Sequence, residues 1–311
     1  MNEISIITPV FNEEENIIPF LEKINSVMNK INKSYELIFV LDPSTDNTET
    51  VILNEIKKNN NIKLIVNSRR FGQPASMLAG LENSKGENVV FIDVDLQDPP
   101  ELIIEMYSFI NKGYDVILAK RTKKIKENFI RKNIANFGYY LISNLSETHI
   151  PKNVGEFRMI SKKVVKEIIK MDDIEFFLRG IVSYVGFSQK IIEFERPERK
   201  IGTTKYNEYT GSIKIGLNGI FSYSLKPLHL ITIISTISFL FSTLIFITYL
   251  LLTFLKLFVF KYQFFIITLI LVVSSAIFFS IGIISEYLAR IIPVIKKRPP
   301  YVVDRKINFE E

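Results

Sequence analysis

The sequence contains no cysteine and no tryptophan, and His149 and His229 are its only histidines. Without cysteine there can be no disulfide bond, no thiolate nucleophile and no cysteine-ligated zinc ion. Two histidines are too few for a metal site built from several imidazoles. A basic region followed by an apolar stretch is also missing from the N-terminus, so no cleavable signal peptide is expected.

Positive charge is in modest excess, because 39 lysines and arginines face 33 acidic residues among 311, for a net charge of +6. The basic residues do not form one block, so nucleic acid is not an expected partner, and an anionic substrate or a membrane surface stays open. Hydropathy is uneven along the chain. Residues up to about 225 have the composition of a soluble domain, and residues 228–290 are far more apolar.

Short apolar runs rich in β-branched residues alternate with helix signals over the first 120 residues. The five runs are ISIITPV (4–10), ELIFVL (36–41), IKLIV (62–66), NVVFID (88–93) and DVILA (115–119). Such runs are typical of strands buried on both faces of a mostly parallel sheet. The predicted fold class is therefore α/β and doubly wound, with ligands at the carboxyl ends of the strands. FRMIS (157–161) and KIIEFE (190–195) predict two further strands, and a helix is expected from about Lys162.

Capping residues predict where the helices start. Asn12 with Glu15 matches a cap and its partner three residues later, and Asp46 precedes a helix that ends near Lys58. Asp98 is followed by two prolines and a glutamate, which is typical of a capped helix start.

The C-terminal third is predicted to associate with a membrane. Apolar side chains at helical spacing predict an amphipathic helix at the membrane surface, and two later runs have the roughly 20 residues that cross a bilayer. The expected organisation is a catalytic domain (1–207), a juxtamembrane segment (208–227), a transmembrane hairpin (228–290, with helices at about 228–255 and 264–287) and a basic tail (291–311). Positive-inside counting places the catalytic domain and both termini in the cytoplasm, so the expected localisation is multi-pass in the inner (cytoplasmic) membrane.

The stretch VVFIDVDLQDPPELI (89–103) crowds three carboxylates within six residues at the end of a predicted buried strand. Because strand side chains alternate, Asp93 and Asp95 are expected on the same side. Two carboxylates there can hold a divalent cation together with phosphate oxygens, and Gln97 adds a neutral oxygen. Asp98 is assigned to the helix cap. The alternative for Asp93 and Asp95 is a solvated loop.

The stretch VLDPSTDNT (40–48) places Asp42 at the end of another predicted strand. A carboxylate there could accept hydrogen bonds from a base or a ribose hydroxyl. The alternative is turn chemistry, since aspartate, proline, serine and asparagine all favour turns.

Four segments in this order resemble the family 2 glycosyltransferases: TPVFNEEENI (8–17), VLDPSTDNT, the run 67–103 that contains Asp-Val-Asp, and GEFRMISKKV (155–164). Within that family they are similar to the polyprenyl-phosphate glycosyltransferases, such as bactoprenol glucosyltransferases and dolichol-phosphate mannose synthases. The resemblance extends to the predicted hairpin and to EYLARIIPVIKKRPPY (286–301). Two departures are Leu-Asp-Pro-Ser for the usual Asp-Asp-Gly-Ser, and Glu156 for an aspartate that is one methylene shorter.

The resemblance implies a GT-A nucleotide-sugar fold and assigns roles to residues. The donor would contact Pro9, Asn12, Glu14, Asp42, Arg70, Gln73 and Asp93, and Asp95 with Gln97 would hold Mg²⁺ or Mn²⁺ on its diphosphate. Arg121, Arg131 and Arg158 would face the acceptor phosphate, although Arg158 could pair with Glu156 instead, and Arg199 and Lys205 would lie in a mobile lid loop. The catalytic set would be Asp93, Asp95, Glu156, Arg121 and Arg131, with a base role for Glu156 left open.

By this resemblance the chain is predicted to be an inverting, metal-dependent enzyme that transfers one sugar to undecaprenyl phosphate or another polyprenyl phosphate, with UDP-glucose as the first donor. The enzyme alternatives are a mannose synthase that uses GDP-mannose and a processive polysaccharide synthase, whose usual Gln-x-x-Arg-Trp motif is impossible without tryptophan. The non-enzyme alternative is an inactive membrane-tethered nucleotide-sugar binder. Expected partners are the donor, the lipid phosphate, the membrane and a separate multi-span flippase for the product, and a homo-oligomer stays open.

Overall fold

A computed structural model of the chain describes residues 3–122, 151, 154–171, 177–195, 262–296 and 299–309, together with five isolated positions between 237 and 255. Its elements are, in chain order, β1 (Ile4–Val10), α1 (Glu14–Ile31), β2 (Tyr35–Leu41), α2 (Thr48–Ile56), β3 (Ile62–Asn67), α3 (Gln73–Glu82), β4 (Asn88–Phe91), α4 (Leu102–Asn111), β5 (Val116–Arg121), β6 (Val154–Ser161), α5 (Lys162–Lys170), α6 (Leu178–Val185), β7 (Gln189–Phe194), α7 (Tyr262–Lys296) and β8 (Val303–Ile307).

All eight of these strands form one sheet in the order β7-β5-β6-β4-β1-β2-β3-β8. Strand β1 pairs in parallel with both β2 and β4, and β2 pairs in parallel with β3. Strand β6 is antiparallel to both β4 and β5, and β8 is antiparallel to β3. The carboxyl ends of β1, β2 and β4 therefore meet at one edge of the sheet, which we call the carboxyl edge.

The apolar runs of the sequence become the buried strands of this sheet. Every residue of β3 and β4 is buried, because helices cover both faces where the strands lie side by side. The α/β layout with a mostly parallel sheet is thus confirmed. The strand predicted at 88–93 ends at Phe91, and Asp93 consequently stands two residues beyond the ladder.

The predicted cap of the first helix is wrong. Helix α1 begins at Glu14, and Asn12 lies before it in a left-handed conformation with φ of +53°. The amide groups at the start of α1 are instead capped by side chains at and just before the start of α2. The backbone N–H of Glu13 donates to Thr48 Oγ1 at 2.8 Å, and that of Glu14 donates to Asp46 Oδ2 at 3.2 Å. A cap supplied by another loop leaves no local signature in the sequence.

The segment predicted as a basic tail contains the strand β8. It extends the sheet beyond β3, and the backbone N–H of Ser68 donates to the carbonyl of Val302 at 2.9 Å. Arg305 pairs with Glu49, and Asn308 Nδ2 donates to the carbonyl of Ile62 at 2.7 Å. The three consecutive charged residues within Val303–Ile307 are exposed, which suits an edge strand.

Among the residues that the structure describes, no helix is both long enough and apolar enough to cross a membrane. On this finding the predicted localisation, a multi-pass protein of the cytoplasmic membrane, is wrong. Most of the first predicted span, 228–255, lies outside the described residues, and the second, 264–287, falls within the longer helix α7.

The chain divides into two compact units. One comprises Met1–Tyr140, Thr148–Lys214 and Arg298–Glu311 and contains the sheet, and the other comprises Leu141–Glu147 and Ile215–Lys297 and contains α7. The domain boundaries expected from the sequence stay a prediction.

A buried ion pair joins the amino ends of the central strands. Lys63 Nζ lies 2.6 Å from Glu36 Oε2, and the side chains are 10% and 0% exposed. The other oxygen of Glu36 accepts hydrogen bonds from the Ser5 hydroxyl at 2.5 Å and from the backbone N–H of Lys85 at 2.6 Å. These contacts hold the pKa of Glu36 below its ordinary value, although burial alone raises it.

We predict that Lys63→Met lowers the free energy of unfolding by about 3–5 kcal/mol, because it leaves the Glu36 carboxylate buried without a cation. Lys58→Met is the matched control, since Lys58 and Glu55 form an exposed pair and such pairs contribute less than about 1 kcal/mol. Denaturant unfolding of the full chain measures both. Equal effects of the two substitutions would contradict the role given to the buried pair.

Candidate functional site

The carboxyl edge gathers acidic side chains from the ends of two parallel strands. Asp42 directly follows β2, and Asp93 and Asp95 follow β4. The backbone N–H of Ile92 donates to the carbonyl of Ile7, which holds the chain beside β1 up to the residue before Asp93. The ligand edge expected of a doubly wound sheet is therefore also where these acids stand.

Asp93 is partly buried, and its Oδ1 accepts a hydrogen bond from Gln73 Nε2 at 2.7 Å. Burial, and then the nearby carboxylates of Asp98, Asp95 and Glu156, raise the pKa of Asp93 to about 7, and Arg121 opposes the shift only in part. Besides burial, three carboxylates and one guanidinium group thus act on the carboxyl group of Asp93.

Asp95 and Gln97 lie in the tight loop after β4. The backbone N–H of Gln97 donates to Asp95 Oδ1 at 3.1 Å, and Leu96 between them has φ of +57°. The structure records no second hydrogen bond to Asp95 from the described residues. No group of three or more acidic or histidine side chains in the described part of the chain could hold a metal ion. A cation here would need oxygen ligands from a substrate in addition to Asp95 and Gln97.

Asp98 is not the helix cap that the sequence predicts. Helix α4 begins at Leu102 with Glu101 at the cap position, because the two prolines after Asp98 form a turn in front of the helix. Asp98 is only 1% exposed, and its two carboxylate oxygens lie 3.3 and 3.5 Å from Arg121 Nη2. Asp98 therefore belongs to the site.

Arg121 is the last residue of strand β5, and its guanidinium group lies near the carboxylates of Asp93 and Asp98. Its side chain is 28% exposed, and its Nε is buried without a hydrogen-bond partner in the described part of the chain. Gly155 on β6 leaves room for it, since a Cβ at Gly155 would lie 2.7 Å from Arg121 Nη2.

Glu156 on β6 is held by two arginines. Arg179 Nε donates to Glu156 Oε1 at 2.6 Å, and Arg158 Nη2 lies 3.4 Å from Oε2. Burial raises the pKa of Glu156, but Arg179, Arg158 and Arg121 outweigh it and hold that pKa below its ordinary value. Glu156 is therefore ionised near neutral pH.

Arg158 is 1% exposed and points into the protein, where it donates to the carbonyls of Gly155 at 2.6 Å and Leu178 at 3.3 Å. Burial lowers the pKa of Arg158 to about 10, against the effect of Glu156. Its pairing with Glu156 is the structural alternative left open by the sequence. Its assignment to the acceptor phosphate stays a prediction.

Arg179, on α6, is a site residue that the sequence analysis missed. The signal was present, because FFLRGIV puts a single cation within an otherwise apolar run. A charge in such a run requires a buried partner, and here the partner is Glu156.

Asp42 orders the loop between β3 and α3. It is buried, and its carboxylate accepts hydrogen bonds from Asn67 Nδ2 at 2.9 Å and from the backbone N–H groups of Phe71 at 3.2 Å and Gly72 at 2.8 Å. Gly72 has φ of +91°, a conformation that glycine adopts without strain. Asp42 therefore orders a loop 25 to 30 residues away in the chain, whereas the alternative expected from the sequence was turn formation in its own loop.

Two other predicted donor residues also organise loops. Asn12 Nδ2 donates to Thr45 Oγ1 at 3.1 Å, and the backbone N–H of Thr45 donates to Asn12 Oδ1 at 2.8 Å. Glu14 Oε2 accepts a hydrogen bond from the backbone N–H of Asn47 at 2.8 Å. Pro9 is partly exposed near the end of β1, and the exposed Arg70 places its guanidinium 4.0 Å from the centroid of the Phe11 ring. Arg131, Arg199 and Lys205 lie outside the described residues.

Comparisons with known proteins place this geometry in context. The family model described as Glycosyl transferase family 2 matches residues 5–169. The uncharacterized glycosyltransferase YkcC of Bacillus subtilis is 36% identical over 98% of this chain and 94% of its own length. The bactoprenol glucosyl transferase of Shigella phage SfII is 32% identical over 97% of this chain and 98% of its own length.

Among solved structures, the chain is similar to glucosyl-3-phosphoglycerate synthase from Mycobacterium tuberculosis in complex with Mn²⁺ and UDP-glucose, with 16% identity and a TM-score of 0.49 over 71% of this chain and 79% of that chain. A likeness at this level carries no conclusion about the site.

We predict that Glu156→Gln lowers the free energy of unfolding at neutral pH by about 1–3 kcal/mol, because it leaves buried guanidinium groups without their anion. The pKa of Glu156 in the folded chain is below its ordinary value of 4.5, so the stabilisation is fully present above that value and is lost as the pH falls through the folded pKa. Thermal unfolding of parent and variant from pH 7 to pH 3 should show a narrowing difference.

Glu167→Gln is the control for this titration, since Glu167 is exposed and pairs only with the neighbouring Lys170 in the described chain. A stability difference for Glu156→Gln that stays constant down to pH 3 would refute ionisation of Glu156 in the folded state.

Proposed function

The chain belongs to glycosyl transferase family 2 and is a glycosyltransferase, and on that premise we propose that it moves one sugar, with inversion, from a nucleotide-diphosphate donor to the phosphate of a polyprenyl phosphate. The observation that carries the proposal is the match of relatives named bactoprenol glucosyl transferase over 97% of this chain and 98% of theirs. UDP-glucose is the first donor that this similarity supports. GDP-mannose is the alternative donor.

The donor is assigned to the carboxyl edge. Asp93, positioned by Gln73, would contact its ribose or sugar, and the nucleotide would lie between Pro9 and the loop that carries Arg70. The oxygens of Asp42 are already taken up by that loop, so Asp42 supports base recognition through the shape of the loop. Asn12 and Glu14 act in the same indirect way, by holding the neighbouring loop in place.

The residues beside Asp93 fit a hard divalent cation. The carboxylate of Asp95 receives a single local hydrogen bond within the described chain, and it lies close enough to Asp93 to contribute to the raised pKa of that carboxyl group. Asp95 and Gln97 would hold Mg²⁺ or Mn²⁺, and the bound ion would neutralise charge on the departing diphosphate.

The acceptor side needs positive charge and no strong base. A lipid phosphate is already an anion, so its oxygen can attack the anomeric carbon while the bond from that carbon to the diphosphate breaks, and no proton has to be removed. Arg121 is available for this phosphate, and Arg131 is assigned the same role by family resemblance. Glu156 is engaged by Arg179 and Arg158, which supports an orienting role and not a base role.

We expect the purified full-length chain to transfer glucose from UDP-glucose to polyprenyl phosphate, and to leave polyprenyl diphosphate and water-soluble sugars unmodified. A panel of radiolabelled nucleotide sugars against these acceptors measures both preferences. Faster turnover with GDP-mannose than with UDP-glucose would make GDP-mannose the donor. Equal turnover on a water-soluble sugar would overturn the lipid acceptor, and absence of all turnover alongside donor binding would favour an inactive nucleotide-sugar binder.

Asp95→Asn should lower the rate by about 10²-fold or more, because it removes charge that holds the cation against the leaving diphosphate. It should also abolish the rise in melting temperature that Mn²⁺ produces in the parent, a readout independent of activity. Asp304→Asn, at an exposed site on β8, is the control. Full activity of the parent in EDTA would exclude the metal.

A further inference from the structure

Asp98 has a buried carboxylate that neither the helix cap nor the proposed donor site uses. We propose that Asp98 is a positioning residue that holds the guanidinium of Arg121 ready for the acceptor phosphate. This inference rests on the proposed function, in which Arg121 binds the acceptor phosphate. It adds Asp98 to the residues of that site and explains why Asp98 is buried beside Arg121.

The geometry of the pair leaves most of Arg121 free for a ligand. Both oxygens of Asp98 face one nitrogen, Nη2, at 3.3 and 3.5 Å. Arginine has three nitrogens and five N–H groups, so a single-nitrogen contact leaves the others able to donate. The buried Nε also has no partner within the described residues, so the protein leaves part of the donor capacity of Arg121 unused.

The guanidinium is also confined from the other side. Gly155 presents only its backbone there, and a methyl group at this position would come within 2.7 Å of Nη2 and 3.1 Å of the guanidinium carbon of Arg121. The side chain of Arg121 is therefore confined between the carboxylate of Asp98 and the backbone of Gly155. This confinement limits its rotamers before a ligand binds, so binding has less conformational entropy to remove.

Without Asp98 the nearby acids would compete for the same cation. Arg121 lies close enough to Glu156 to contribute to the lowered pKa of that carboxyl group, and Asp93 stands at the same edge of the sheet. An arginine released from Asp98 would be drawn toward Asp93, on the donor side, and away from the acceptor. Asp98 thus separates the cation assigned to the acceptor from the acids assigned to the donor.

The test is a double-mutant cycle on the full-length chain with UDP-glucose and polyprenyl phosphate. We expect Asp98→Asn to raise the KM for polyprenyl phosphate by about 10-fold to 10²-fold, with the KM for the donor unchanged within about twofold. In an Arg121→Ala background the same substitution should have no further effect, because its target is gone. A purely structural role for Asp98 predicts instead equal losses in both backgrounds and a lowered melting temperature.

Gly155→Ala gives a second, independent displacement of Arg121 and should reproduce the KM effect even if Asp98→Asn folds poorly. Glu193→Gln is the control, since Glu193 pairs with Lys120 at the exposed end of β5 and lies outside the proposed machinery. Parent turnover with an unchanged acceptor KM in both Asp98→Asn and Gly155→Ala would overturn the inference alone. A parent that does not use polyprenyl phosphate would overturn the proposed function, and the inference with it.

Discussion

Besides Asp42, four carboxylates and three arginines share the carboxyl edge of the sheet, and their pairing determines what this edge can do. Asp98 is matched by Arg121, and Glu156 by Arg179 and Arg158. Asp93 receives an amide hydrogen bond in place of a cation. Asp93 and Asp95 are thus the two acids of this group with no arginine contact recorded among the described residues. Under the proposed function, this pairing would divide one crowded stretch of sequence into a donor side and an acceptor side.

The loops of the site are held by polar contacts between strands that are far apart in the chain. Asp42 binds the amide groups of the β3–α3 loop, and Asn12 binds Thr45 in the β2–α2 loop. Both contacts join the ends of neighbouring parallel strands, where two loops must settle side by side. Asp42 and Asn12 thus fix the positions of neighbouring loops. Loops that are held in place before a ligand binds are preorganised, as catalysis requires.

The C-terminal segment contributes to the same frame. After α7 the chain returns to the sheet, and β8 covers the edge of β3. Its hydrogen bond from Ser68 to Val302 lies at the start of the loop that Asp42 holds. An exposed edge strand would invite pairing with another chain, so β8 both protects the sheet and fixes the start of the β3–α3 loop.

Helix ends show where sequence patterns stop being informative. Asn12 and Asp98 each precede a helix and have the right chemistry for a cap, yet neither caps it. In the first case a residue from the next loop does so, and in the second the prolines form a separate turn. Tertiary partners compete with local ones for the same carboxylate or amide, and a sequence records only the local candidates.

The sequence alone determined the α/β sheet, the positions of its first five strands along the chain, the family resemblance and the acids of the carboxyl edge, because buried parallel strands impose apolar runs and their ends impose polar ones. Only the tertiary structure decided which acid meets which arginine, since Asp98 with Arg121 and Glu156 with Arg179 are each separated by 23 residues. It likewise decided that Arg158 is buried and that Val303–Ile307 joins the sheet. The periodicity of apolar residues along the sequence predicts which residues are buried. Ion pairs and the pairing of edge strands each involve two segments that only folding brings together.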